Sequence, residues 1–146
     1  MNGIVVGVDG SEGSTHALEW AAEEARLRSA PLNVVLAWQW PTSLYAGAGW
    51  AGVDKEVIGD LGKLAEQRLE ETCAAVASNL EGLEVGRSVV EGAAAPALVE
   101  AAEGAELLVV GTRGHGGFTG LLLGSVSQQC AHHSPCPVVI VPPPQA

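Results

Sequence analysis

Five apolar runs, most of them rich in valine, recur along the chain and predict the strands of a sheet. They lie at Gly3–Val8, Leu32–Trp38, Val85–Val90, Leu107–Val110 and Pro137–Val141. The first, second and fourth runs carry almost no polar residue, which indicates strands that are buried on both faces. Three consecutive prolines follow the last run, and proline cannot extend a strand ladder.

Between these runs, apolar residues recur every three or four positions, as on the buried face of a helix. We expect helices around Ala17–Ala25, over Lys55–Leu80, over Ala94–Glu103, and from about Gly124 to His133. The regular alternation of strands and helices predicts a doubly wound parallel sheet with helices on both faces. Neither an internal repeat nor a linker interrupts the pattern, so one domain over residues 1–146 is expected.

The stretch from Leu107 to Ser127 combines a buried strand, a glycine-rich loop and the start of a helix. The loop glycines are Gly111, Gly114, Gly116, Gly117 and Gly120. This arrangement presents backbone N–H groups to an anion, and glycine permits the close approach of phosphate oxygens. Ser125 and Ser127 can cap the helix and offer hydroxyls to the same anion. The stretch therefore predicts a phosphate site.

Doubly wound sheets bind ligands at the carboxyl ends of their strands. This rule brings Asp9-Gly10-Ser11, the residues around Ala37 and the glycine loop to one edge. Within the loop, Arg113 and His115 either reach phosphate oxygens or point to solvent. Asp9 is suited to accepting hydrogen bonds from a ribose, or alternatively to forming a turn or a helix cap.

Composition and charge restrict the classes of partner. The chain has 146 residues and a formal net charge of −10, from 17 acidic and 7 basic residues. This charge argues against nucleic acid as a ligand, and it means that a phosphate site must rely on local donors. No apolar run is long enough to cross a membrane, and the first residues lack the basic region of a signal peptide. A cytoplasmic protein is expected.

The three cysteines do not form an even set, which suggests free thiols. Cys130, His132, His133 and Cys136 have the residue types of a zinc site, but the chain offers no second pair of ligands. Buried thiols and histidines at a helix terminus explain them more simply, and we expect no metal site.

The spacing Gly111-x2-Gly114-x9-Gly124-Ser125 resembles the nucleotide-binding signature of the universal stress protein family, in its ATP-binding class. Asp9 at the end of the first strand and the apolar last strand match the family as well, so the resemblance covers essentially the whole chain. It implies a five-stranded parallel sheet of order 3-2-1-4-5. It also implies a stress-response or signalling protein that binds ATP, with or without Mg²⁺.

The resemblance implies a role for each part of the site. Asp9 would face the ribose, and the backbone near Ala37 would read the adenine. The phosphates would be held by Gly114, the loop behind it, and Gly124, Ser125, Val126 and Ser127. Family members usually dimerise, often through the last strand, which here is Pro137–Val141.

Two departures from the family pattern concern the walls of the pocket. Gly92 is followed by alanines, with Pro96 later, where the family often has a Gly-x-Pro turn. Trp38, beside Ala37, lies where it can stack on a base or anchor the core. The irregular segment from Pro41 to Val53 has a composition that suits a functional loop.

Four alternatives for the ligand and the activity remain open: ATP, cyclic AMP or AMP, slow ATP hydrolysis, and a dimeric scaffold without nucleotide. Hydrolysis needs a placed cation and an oriented nucleophile. The two lysines, Lys55 and Lys63, lie on the predicted long helix rather than in the loop, and no catalytic residue is apparent. We therefore expect slow hydrolysis at most.

Overall fold

The computed structural model describes residues 3–39, 55–112 and 123–143, with the backbone alone for residues 55–59. The strands are β1 (Ile4–Val8), β2 (Leu32–Trp38), β3 (Val85–Glu91), β4 (Leu107–Gly111) and β5 (Val138–Val141). The helices are α1 (Glu12–Arg28), α2 (Lys55–Ala75), α3 (Ala77–Leu80), α4 (Ala94–Ala101) and α5 (Ser125–His133).

All five strands are parallel and follow the order β3-β2-β1-β4-β5. The predicted fold class is thus confirmed. From β1 the chain proceeds to β2 on one side, whereas β4 leads to β5 on the other side. The order therefore reverses between β1 and β4, and a crevice is expected at the carboxyl ends of these two strands.

Side chains of successive residues in the buried strands pack into two separate cores, because they alternate between the two faces of the sheet. Ile4, Val6 and Val8 of β1 pack with α1 and α2 on one face. Val5 of β1 packs with Leu98 of α4 and with residues of β4 and α5 on the other face. This two-sided burial explains why the strands read as continuous apolar runs.

Some element boundaries differ from those predicted. The long helix ends at Ala75, because Val76 leaves helical geometry with φ −121° and its N–H bonds back to the Cys73 carbonyl at 3.2 Å. The fourth strand extends one residue beyond the predicted Val110, because Gly111 still pairs with Val141. The prediction that the last strand begins at Pro137 was one residue early.

One backbone edge of β5 faces away from the sheet. The carbonyls of Pro137 and Val141 accept from Leu108 and Thr112 N–H, at 2.9 and 3.2 Å. In the parallel pattern, the backbone groups of alternate residues face the same neighbouring strand, so the N–H groups of Val138 and Ile140 point outward.

None of the helices within the described ranges combines the length and apolarity that a membrane-spanning segment requires.

Candidate functional site

The turn after β1 is held by hydrogen bonds among its own side chains. An Asp9 carboxylate oxygen accepts from Ser11 N–H at 2.9 Å, and the Asp9 N–H donates to Ser14 Oγ at 3.2 Å. Ser11 Oγ accepts from Ser14 N–H at 3.2 Å and so caps α1. Gly10 has φ +85°, a conformation that favours glycine. The carboxylate of Asp9 is consequently oriented by the turn at the carboxyl end of β1.

The backbone of Ala37 continues β2 beyond the last residue of β1 that pairs with it. The ladder between these strands ends with Val8 opposite Leu36, whereas Ala37 pairs with Val90 of β3 on the other side. The Pro31 carbonyl accepts from Ile4 N–H, so odd-numbered residues of β2 direct their backbone groups toward β1. The Ala37 carbonyl thus faces the space above the end of β1.

The start of α5 is fastened to the end of β4 through one carbonyl. Thr112 O accepts from Gly124 N–H at 2.6 Å and from the Ser127 hydroxyl at 3.0 Å. Ser127 is buried, and its hydroxyl also lies 3.0 Å from Gly124 O. These hydrogen bonds hold the end of β4 and the start of α5 together at the edge of the sheet.

The helix start exposes donors, but its cap is not the predicted one. The residue at the N-cap of α5 is Gly124, with no side-chain cap hydrogen bond, so the expectation that Ser125 or Ser127 caps the helix was wrong. The tie between Thr112 and Gly124 sets the helix start one residue before Ser125. Gln128 N–H donates to Gly124 O at 3.0 Å. The preceding N–H groups, those of Ser125, Val126 and Ser127, are the donors that have no acceptor within an α-helix.

These groups form a candidate anion site at the point where the strand order reverses. The donors at the start of α5 carry the positive end of the helix dipole. The Asp9 turn and the Ala37 carbonyl belong to the strands on the β1 side of the same edge. Such an edge combines N–H donors for an anion with acceptors for hydroxyl and amino groups.

A family model described as the universal stress protein family matches residues 1–142. The chain belongs to the universal stress protein family. It is 36% identical over 137 residues to "Universal stress protein Rv2623" of Mycobacterium tuberculosis (strain ATCC 25618 / H37Rv). That alignment covers 94% of this chain and 44% of the relative, so the chain spans less than half of that protein's length.

Solved structures of universal stress proteins match almost the whole chain. One, described as a universal stress protein in complex with cAMP, is 29% identical with a TM-score of 0.73, and 98% of each chain is covered. Another, from Archaeoglobus fulgidus in complex with dAMP, is 27% identical with a TM-score of 0.64, covering 97% of this chain and 98% of that one. Both neighbours therefore bind adenine nucleotides.

Part of the predicted site of this universal stress protein lies outside the described residues. This applies to Arg113, Gly114, His115, Gly116 and Gly117, and to the irregular segment from Pro41 to Val53. The described parts are the Asp9-Gly10-Ser11 turn, Ala37, Gly111 and the start of α5. Their roles toward a ligand stay predictions.

Two further side chains lie near the candidate site, Trp38 on β2 and Arg68 on α2. The Trp38 side chain packs on the core beneath α2, where a Cβ atom at Gly62 would lie 3.5 Å from its Cζ2. Its role as a core residue is thus confirmed.

Arg68 of α2 lies across the turn after β1, since a Cβ atom at Gly10 would lie 2.6 Å from Arg68 Cδ. The helical pattern marks Arg68 only as polar, and nothing in the sequence links it to Gly10.

Cys130, His132 and His133 lie on α5, and Cys136 lies between α5 and β5. Cys130 is fully buried, and its burial raises the pKa of its thiol. His132 and His133 are exposed, and their ring centroids are 6.3 Å apart. Over the described part of the chain, no group of three or more potential ligands could hold a metal ion.

Proposed function

We propose that this universal stress protein is an adenine-nucleotide-binding module with its site at the carboxyl edge of the sheet, and that ATP is its preferred ligand. The observation that carries the proposal is the fixed start of α5. There, the Thr112 carbonyl accepts from Gly124 N–H and from the Ser127 hydroxyl, and the N–H groups of the first helical turn have no acceptor within the helix. Phosphate is the anion that such helix starts commonly bind.

The remaining described groups suit the other parts of a nucleotide. The oriented carboxylate of Asp9 would accept hydrogen bonds from the ribose hydroxyls. The Ala37 carbonyl would accept from the adenine amino group. In this proposal, Gly114 and the rest of the loop complete the phosphate site together with Ser125, Val126 and Ser127.

Two lines of support bear on the ligand's identity. The complexes with cAMP and dAMP among the structural neighbours support an adenine nucleotide. The spacing of Gly111, Gly114, Gly124 and Ser125, which resembles the ATP-binding class of the family, favours ATP. The neighbours' ligands make cyclic AMP or AMP the second candidate, because a helix start binds one phosphate without requiring a second.

The experiment that tests this proposal is mass spectrometry of small molecules released by denaturing the freshly purified protein. Calorimetric titrations with ATP, AMP and cyclic AMP, each with and without Mg²⁺, then rank the ligands. We expect ATP to bind most tightly and Gly114→Val to weaken binding while the protein remains folded. Tighter binding of cyclic AMP would change the ligand, and an absence of binding by all three would refute the proposal.

The proposed module is a binding protein rather than an efficient ATP hydrolase. Efficient phosphoryl transfer requires a placed cation and an oriented nucleophile beside the phosphates. We expect phosphate release to be slow or absent when the purified protein is incubated with ATP and Mg²⁺. Metal-dependent turnover that Asp9→Ala abolishes without loss of ATP binding would instead establish an enzyme.

A further inference from the structure

The side chain of Arg68 extends from α2 over the turn that follows β1. At Gly10, a Cβ atom would lie 2.6 Å from Arg68 Cδ, 2.9 Å from Cγ and 3.3 Å from Nε. The alkyl stem therefore rests on the Gly10 backbone, and glycine leaves the room that it needs. The guanidinium group beyond Nε is consequently held near Asp9-Gly10-Ser11, at the carboxyl end of β1.

The other described arginines are committed to partners elsewhere. Arg26 donates to the carbonyls of Asn79 and Glu81 at 2.9 and 2.8 Å. Arg28 pairs with Glu24 and Glu106, and Arg87 pairs with Glu70. By contrast, Arg68 is exposed and forms no ion pair with any residue in the described ranges.

Arg68 thus places at this edge a positive charge that has no ion-pair partner among the described residues. The net charge of −10 repels a nucleotide at long range, so local positive groups must supply the attraction. A guanidinium group offers several N–H donors in a planar fork that matches phosphate oxygens. Its preference for phosphate follows from both charge and geometry.

We propose that Arg68 binds a phosphate group of the nucleotide from the α2 side of the crevice, opposite the N–H groups of α5. This assignment rests on the proposed function and adds a phosphate-binding residue outside the glycine motif. Gly10 then serves two purposes: it adopts the positive φ of the turn and it seats the arginine stem.

The test compares Arg68→Gln with Arg28→Gln in the full chain by calorimetry with ATP and with adenosine. Both variants remove one positive charge, but Arg28 sits at the C-terminal end of α1, remote from the turn that begins this helix. We expect Arg68→Gln to weaken ATP binding about tenfold, the loss typical of a hydrogen bond to a charged group. Adenosine binding should stay within about twofold, and Arg28→Gln should leave both within about twofold.

The outcomes separate this assignment from the proposed function. If the unmodified protein binds ATP and Arg68→Gln binds it equally well, the Arg68 assignment fails while the nucleotide site stands. Equal losses for ATP and adenosine would overturn the phosphate contact, as would an equal loss of ATP binding in Arg28→Gln. If the unmodified protein binds neither compound, both proposals fall. Thermal melting of each variant checks that a loss does not reflect unfolding.

Discussion

Replacing Ser125 with proline provides a direct test of the helix start as a phosphate site. Ser125 is the first residue of α5, the position at which proline is best tolerated because its missing N–H has no helical acceptor. The preceding Gly124 has φ −78° and ψ 172°, which suits a residue before proline. Ser125→Pro should therefore remove a candidate phosphate donor while the helix is kept.

The expected effect follows from the kind of hydrogen bond that is lost. A hydrogen bond to a charged group contributes about 1.5–3 kcal/mol, which corresponds to a loss of affinity of about 10- to 100-fold. The free energy of unfolding should stay the same or rise by less than about 1 kcal/mol, because proline restricts the unfolded chain. The Ser125→Pro variant should therefore bind ATP more weakly, while its free energy of unfolding does not fall.

Calorimetry with ATP and with adenosine measures the first effect, and urea denaturation measures the second. Ser125→Ala is the matched control, since it removes the exposed hydroxyl and keeps the N–H. Adenosine binding should be unchanged in both variants. ATP binding by a folded Ser125→Pro variant that equals that of Ser125→Ala would refute the idea that the start of α5 holds a phosphate.

Three further predictions concern packing, thiols and assembly. Gly7→Ala should destabilise the fold by about 1–3 kcal/mol, because the added Cβ would lie 2.6 Å from Leu98 Cδ1. In a double-mutant cycle measured by denaturation, Leu98→Ala should offset part of that cost. Below about pH 8.5, a thiol reagent should label half-buried Cys136 faster than buried Cys130. The reason is that burial raises the pKa of the Cys130 thiol and keeps it protonated, and comparable labelling rates would contradict this. If two copies pair through β5, Val138→Pro should convert the dimer to a monomer in sedimentation experiments, because the substitution removes an outward N–H group. A monomeric unmodified protein would contradict the dimer prediction.

Much of the architecture could be predicted because burial leaves a local signature. Strands covered on both faces need apolar side chains at successive positions, so β1 and β4 were evident as runs. Their alternation with helices implied a parallel sheet. The strand order, however, came from the family resemblance, since alternation alone does not specify which strand lies beside which.

The details that the sequence did not provide depend on contacts between distant residues. Ser125 directly follows Gly124 and Ser127 lies two residues further on, and both have hydroxyls that can cap a helix. The choice is made by Thr112, whose carbonyl binds Gly124 N–H and the Ser127 hydroxyl from the end of another element. Arg68 and Gly10 are likewise brought together only by the packing of α2 beside α1. Local patterns carry no information about such pairs.

Hydrogen bonds within the protein fix the described parts of the candidate site. Asp9 is oriented by Ser11 N–H, and the start of α5 is fixed by the Thr112 carbonyl and the buried Ser127 hydroxyl. The Ser127 hydroxyl already donates a hydrogen bond to the Thr112 carbonyl. If it donated to a phosphate instead, the hydrogen bond that positions the helix would be lost. Backbone N–H groups incur no such conflict, because the helix leaves them without acceptors. In a protein with a net charge of −10, we expect such fixed donors, together with the proposed Arg68 contact, to bind phosphate without a basic surface.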